Sequence, residues 1–261
     1  MQSNNLFEKQ YKLALQRILN YGVLRANRTD TSAFSLFDVK FVVDVSTFYP
    51  IITSKLIDLK IVNAEFEWLI SGHTNIELFK KRGIKIWDAW ADEDGELGPV
   101  YGYQLVNFNG AQCNQLDNVI SSLREDPLGR RHILTLWNPL QLKEMRLPPC
   151  YLYFQFYVDH TKKLNVFVVQ RSGDMFAGVP YDICVFTNLL GYIAQATGLT
   201  PGVISHNIVD AHIYSNHLDG VKEYLNRSDY IQPKWQGDLF GSVSFTTPYN
   251  CEPYIKIPIA V

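Results

Sequence analysis

The segment "LPPCYLYFQFYV", residues 147–158, places Cys150 directly after two prolines and ahead of a run of mostly aromatic and aliphatic residues. A thiol in that setting reads in two ways. It is an apolar filler of a buried strand, since cysteine outside disulfides is among the most buried residue types. Alternatively it is a nucleophile, its backbone fixed by the prolines so that the sulfur is aimed. Positive surroundings favour the second reading, because the thiolate is the reactive form and a cationic field stabilises it. Arginines are available: Arg28 in "NRTDT", Arg130 and Arg131 in "DPLGRR", and Arg171 in "QRS". Any one alone reads as a solvated surface residue. Converging, they would make a phosphate site, because the guanidinium fork matches phosphate oxygens and Ser172 adds a donor.

Glu65 lies inside the apolar "DLKIVNAEFEWLI", where a carboxylate needs a partner or a task. A buried ion pair with an arginine is the structural alternative to a functional acid. His212 and His217 stand at i and i+5 across a strand–helix junction, poor geometry for a shared metal, and His73 and His132 read as surface or edge residues. The four cysteines (Cys113, Cys150, Cys184 and Cys251) are far apart and form no CxxC. No metal site and no disulfide framework is expected, and a reducing cytoplasm is the natural setting.

These residues need elements to hold them. Residues 6–21 carry Leu6, Tyr11, Leu15, Ile18 and Leu19 at the spacing of an amphipathic helix. "FSLFDVKFVVDV" alternates as a strand, and residues 58–70 are apolar enough for a buried helix. "IWDAWADEDGELGPVYG" is loop-like but carries Trp87, Trp90 and Tyr101, a large aromatic surface for a loop. "RHILTLWN", "CYLYFQFYV" and "KLNVFVVQ" read as strands, the last two joined by the turn-forming "DHTKK". "GVPYDICVFTNLLGYIAQATG" opens with a proline in its first turn and closes on glycine, the clearest helix in the chain. "DAHIYSNHLDGVKEYL" reads as a short polar strand running into another helix. The pattern predicts an α+β fold, a mixed or mostly antiparallel sheet backed by one long buried helix.

Nothing marks a domain boundary within 1–261, so one domain is expected. A net charge of −2 supplies no whole-molecule field for nucleic acid or an anionic membrane, and no apolar run reaches membrane-spanning length. The first residues lack the basic-then-apolar layout of a secretory signal.

Taken in order, "NRTDT", "AEFEWLISGHTNI", "IWDAWADEDGELGPVYG", "DPLGRR", "LPPC…QFYV", "QRSGDMFAGVPYDI", "DAHIYSNH" and the terminal "IKIPIAV" resemble thymidylate synthase, almost from end to end. The resemblance implies a homodimer formed by sheet faces, a pyrimidine nucleoside monophosphate as substrate, and 5,10-methylenetetrahydrofolate as one-carbon donor, with no metal. By matching position, Cys150 would add to C6 of the pyrimidine, which makes C5 the attacking carbon. Arg28, Arg171 and Ser172 would hold the phosphate, with Arg130 and Arg131 reaching in from the other subunit. His212 and Tyr214 would bind the sugar, Glu65 would organise proton transfers, and Tyr151, Gln170, Asp174 and Asp182 would complete the nucleotide site. Ile86, Trp87, Leu147, Asp174, Gly178, Tyr181 and Val261 would form the folate side.

Two base-facing positions depart from that family's pattern. Asp182 replaces an asparagine, and Tyr151 replaces a histidine. An asparagine amide offers one donor and one acceptor, matching O4 and N3–H of uracil, whereas an ionised aspartate only accepts. Facing O4, it would leave a mismatch of roughly 1–3 kcal/mol. Cytosine presents a 4-amino donor, and N3 donates once protonated. The position of Asp182 in the first turn of the long helix also favours its anion. The departure resembles the deoxycytidylate hydroxymethylases, in which water captures the exocyclic methylene. The synthase-like "YIKIPIAV" and the retained Trp87 favour methylation, and Tyr151 with Asp182 favours the cytosine branch. The expected activity is dCMP 5-hydroxymethylation, with dCMP or dUMP methylation as the alternative. The unaltered "QRS" motif points to a deoxynucleotide. A non-catalytic member binding nucleotide or RNA is the third reading, and a binder has no need of a thiol beside a base.

Overall fold

The computed structural model describes residues 6–27, 29–236 and 243–258. The first helix, α1 (Leu6–Tyr21), forms where its apolar spacing places it, burying Phe7, Tyr11, Leu15 and Ile18. Strands β1 (Val23–Arg25) and β2 (Ala33–Asp44) follow, then α2 (Leu59–Ser71), capped by Asp58, whose side chain accepts from Lys60 N–H at 2.8 Å. Three short helices come next: α3 (Glu77–Lys81), α4 (Tyr101–Val106) and α5 (Gln115–Glu125). The chain then runs β3 (Ile133–Thr135), β4 (Tyr151–Val158), β5 (Lys163–Asp174), α6 (Val179–Thr197), β6 (Thr200–Tyr214) and α7 (Leu218–Asn226).

The six strands form one sheet in the order β1-β2-β6-β5-β4-β3. Every neighbouring pair is antiparallel except β5 and β6. That parallel pair follows from α6, which carries the chain across one sheet face between them as a crossover connection must. Helix α6 has Pro180 in its first turn and Gly198 in a left-handed conformation (φ 69°) at its end. It is buried on nearly every side, which is why its sequence is apolar throughout. The fold is α+β with a mixed, mostly antiparallel sheet and a long buried helix, as the sequence predicts.

Three expectations need correction. The polar strand before α7 is short in the sequence reading but spans fifteen residues in the structure. Ser205 and Asn207 alternate with buried Ile204, His206 and Ile208, so its polar residues disguise one apolar face. "RHILTLWN" contributes only Ile133–Thr135. His132 is fully buried rather than at the surface, with Nδ1 3.0 Å from Ser122 Oγ.

One irregularity crosses the sheet. Between β2 and β6 the pairing passes from Phe37↔Asp210 to Val39↔Ile208, missing Asp38 and Val209. Between β5 and β6 it passes from Gln170↔Ile208 to Ser172↔Asp210, and between β4 and β5 the register shifts between Tyr151 and Tyr153. Asp38 takes φ 59° at this line. The β2–β6 and β5–β6 pairs on either side keep one register, so these are gaps in the ladder, and they lie beside Cys150, Gln170, Arg171 and Asp210.

Glu8 ties the layers together. Fully buried, it accepts from Thr53 N–H (2.8 Å), Thr53 Oγ1 (2.6 Å), Ser54 N–H (2.8 Å) and Tyr224 Oη (2.6 Å), joining α1, the segment before α2, and α7. Glu8→Ala strands those donors and is expected to cost roughly 3–5 kcal/mol. Urea unfolding checks this, and a loss below about 1 kcal/mol would contradict the role given to the carboxylate.

Candidate active site

A cavity of about 520 Å³ opens along the ends of β4, β5 and β6, walled by α2, the start of α6 and the segment around Tyr254–Pro258. Cys150 lines it, just ahead of β4. Its N–H donates to Tyr101 Oη at 2.9 Å, and its carbonyl accepts from Arg171 N–H at 2.7 Å. Arg171 then donates from Nε to the Pro149 carbonyl and from Nη2 to the Pro148 carbonyl, each at 2.9 Å. Nη2 lies 3.9 Å from Cys150 Sγ, and the guanidinium stacks 5.8 Å from the Trp137 ring. The two prolines thus do more than stiffen the turn. Their carbonyls seat a cation beside the sulfur, where it stabilises negative charge.

Tyr151 packs its ring against Tyr101 (4.8 Å), Phe186 (5.1 Å) and Phe154 (5.8 Å). Burial pushes its phenol well above the ordinary range, and the charges of Glu65 and Asp182 add to the effect. Glu65 enters the cavity from α2 and makes no ion pair with an arginine among the described residues, so the structural alternative weighed for it fails. Burial pushes Glu65 up to about 8, with the Asp182 charge contributing. Asp182 is pushed up to about 7 by burial, against the Gln170 amide, which donates to Oδ2 at 2.9 Å. The expectation of a plainly ionised aspartate is therefore corrected: desolvation outweighs the helix terminus, and Asp182 holds a proton part of the time at neutral pH.

On the far side, Asp174 Oδ1 accepts from Phe176 N–H (2.9 Å) and Ala177 N–H (3.1 Å) and stands 3.6 Å from His217 Nδ1. His217 Nε2 lies 2.8 Å from the Pro258 carbonyl, fastening that segment to the wall. His212 Nδ1 faces Asp210 (3.4 Å to Oδ1), which also accepts from Ser35 Oγ at 2.8 Å.

Gln170, Ser172, Tyr214, Ile86, Trp87, Leu147, Gly178 and Tyr181 also line the cavity. Arg130 and Arg131 do not. They border a separate cleft with Ser122, Asp126 and His132. Arg28 and Val261 lie outside the described residues. Lys55, Tyr101 and Asp210 line the cavity without having been singled out as site residues. Lys55 carries a weak signal, a lone cation in the apolar "YPIITSKLI"; burial lowers it to about 8, which Asp174 opposes. Among the described residues no group of histidines, cysteines and carboxylates is arranged for a metal ion, and no helix is long and apolar enough to cross a membrane.

The thymidylate synthase family model matches residues 9–260. The chain belongs to the thymidylate synthase family. Folate-dependent one-carbon transfer to C5 of a pyrimidine nucleotide is the activity that membership supports, with methylenetetrahydrofolate as donor and the enzyme a one-carbon transferase.

The raised acids carry a stability cost with a definite sign. Glu65 binds its proton more tightly folded than unfolded, so its contribution is most favourable below about 4.5 and is lost as pH rises towards about 8. Glu65→Gln removes that loss. Its stability to urea relative to the unsubstituted protein is expected to rise between pH 5 and pH 8.5, by about 4 kcal/mol. A difference that stays flat across that range would show Glu65 to be unperturbed.

Proposed function

We propose that this enzyme is a dCMP 5-hydroxymethylase acting as a single catalytic domain, converting dCMP, 5,10-methylenetetrahydrofolate and water to 5-hydroxymethyl-dCMP and tetrahydrofolate. The observation that carries the reading is Asp182, at the cavity wall opposite Cys150, where the family's amide is replaced by a carboxyl group. Uracil requires that this group stay protonated, because only the neutral acid presents a donor to O4. Cytosine is matched with the proton on either partner: the neutral acid facing N3, and the anion facing protonated N3, are one complex with a proton moved along one hydrogen bond. Cytosine therefore pairs with the neutral acid or, with N3 protonated, with the anion, and uracil with the neutral acid alone.

The residues then take these roles. Arg171 and Ser172 hold the phosphate beside the reacting thiol, joined by Arg28 and by Arg130 and Arg131 of a second subunit. His212 and Tyr214 bind the sugar. Cys150 adds through sulfur to C6, and the electron pair moves to C5. Folate would supply the methylene carbon, which C5 attacks; loss of the C5 proton then breaks the bond from that carbon to the folate nitrogen, releasing tetrahydrofolate and leaving the exocyclic methylene. Glu65, with its pKa near working pH, accepts and returns protons, including the one lost from C5. Water then adds to the exocyclic methylene, and the thiolate leaves C6. The wall of Ile86, Trp87, Leu147 and Tyr181 is apolar and flat, with Asp174 the carboxylate beside it, a fit to a ring bearing N–H donors. Val261 would close this side.

The homodimer belongs to the same proposal. Phe37 and Tyr157 are 78% and 63% exposed on strands, and Val209 is also exposed, leaving apolar surface on the sheet for a second copy. Arg130 and Arg131 lie outside this chain's own cavity, where a partner would use them. A cytoplasmic setting follows from four cysteines with no pairing pattern, and no nucleic acid is required.

Dihydrofolate absorbance and product mass, followed together with dCMP or dUMP, test the reaction. A hydroxymethylated dCMP without dihydrofolate is expected; dihydrofolate with a methylated product would establish the methylase alternative. Asp182→Asn is expected to move preference towards dUMP by about tenfold or more, and an unchanged ratio would remove the carboxyl argument. Cys150→Ala should abolish turnover and spare nucleotide binding. Mixing Cys150→Ala with an Arg130→Ala/Arg131→Ala double variant should restore activity if subunits share sites, and no recovery would count against the shared site.

A further inference from the structure

His206 is a fully buried histidine with no solvent and no charge pair. It stands between the rings of Phe186 (5.0 Å, edge to face) and Phe41 (6.1 Å), and its Nδ1 has no hydrogen-bond partner among the described residues. A buried orphan nitrogen costs stability, so packing alone would favour phenylalanine at this position. What the imidazole supplies is its other nitrogen. Burial lowers His206 to about 3, so the ring is neutral, and Nε2 lies 2.7 Å from Gln170 Oε1. Since Oε1 can only accept, the hydrogen sits on Nε2. The Gln170 amide is then fully committed. Its carbonyl takes the His206 hydrogen, and its two N–H groups go to the Ser172 carbonyl (3.0 Å) and to Asp182 Oδ2 (2.9 Å).

We infer that His206 is a positioning residue for Asp182, anchoring the Gln170 amide so that an amide N–H always donates to the carboxyl group and keeps it an acceptor. The chain runs one way, from imidazole N–H through the amide to the carboxylate, and each bond polarises the next. Without His206 the Gln170 carbonyl is an orphan in an apolar pocket, and it regains a partner only by turning away from Ser172 and Asp182. The ionisable groups that face Asp182 from the surrounding elements are Glu65 from α2, Tyr151 from β4, Asp174 from β5 and Cys184 one half-turn along α6. Burial opposes its ionisation, and the charge of Asp174 adds to that. The Gln170 amide is the one contact named here that favours the anion, so its orientation has leverage.

The inference rests on the dCMP reading only where turnover is measured. Carbon-13 NMR of aspartate carboxyls in the nucleotide-free protein, with the Asp182 signal assigned by its loss in Asp182→Asn, follows the titration directly. His206→Phe keeps the packing and is expected to raise the Asp182 midpoint by about one pH unit, a tenfold change in protonation. His206→Gln, which returns an N–H donor, should bring it most of the way back, a rescue that a merely structural role would not show. An unmoved midpoint in His206→Phe overturns the inference, and so does an equal shift in both variants. At pH 8 the ratio of kcat/KM for dUMP to that for dCMP should rise about fivefold in His206→Phe, as the neutral acid that uracil requires grows from about a tenth to about a half of Asp182, and fall back in His206→Gln. If the unsubstituted enzyme instead prefers dUMP, the dCMP reading fails while the titration still decides the role of His206.

Discussion

The site depends on a cation held by two carbonyls that have no competing claim. Pro148 and Pro149 lack N–H groups and so donate to no ladder, and their carbonyl oxygens accept from Arg171. The same side chain brings positive charge to within 3.9 Å of Cys150 Sγ, while its backbone N–H holds the Cys150 carbonyl. One residue of β5 thereby sets the height, direction and electrostatics of the thiol on the neighbouring β4. Tyr101 completes the hold from α4, and because its ring packs on Tyr151 and Trp87, the turn is tied to two walls of the cavity.

Around that fixed point the cavity gathers acids. Glu65, Asp182 and Asp174 come from α2, α6 and β5, and the first two are pushed up to about 8 and about 7 by burial. Asp174 goes the other way. Two backbone N–H donors and His217 hold it below its usual range despite burial. A single pocket thus contains carboxyl groups poised to move protons and one that stays charged, a division produced by hydrogen-bond donors rather than by depth.

Much of this was legible in the sequence where local chemistry decides the outcome. Helix α6 announces itself through Pro180 and Gly198, α1 through its apolar spacing, and the β4–β5 hairpin through "DHTKK". The thiol's role was not legible from residue statistics, and the resemblance supplied it. Lys55, Tyr101 and Asp210 escaped because each reaches the cavity through packing between elements distant in the chain. His132 was misread because one apolar flank says nothing about a ring enclosed by α5. The charge of Asp182 was misjudged for a related reason: the helix terminus is visible in sequence, and desolvation by three other elements is not.

The line of missed pairings through Asp38, Val209 and Arg171 also constrains how such an enzyme can diverge. Sliding any one of these strands by a residue would reverse the facing of its side chains and put its gap out of line with its neighbours'. The scaffold is therefore frozen at the mouth of the pocket, and new chemistry must arrive by exchanging side chains on an unmoving frame. Asp182 and Tyr151 are exchanges of that kind, each altering the chemistry of the cavity wall without asking any strand to shift.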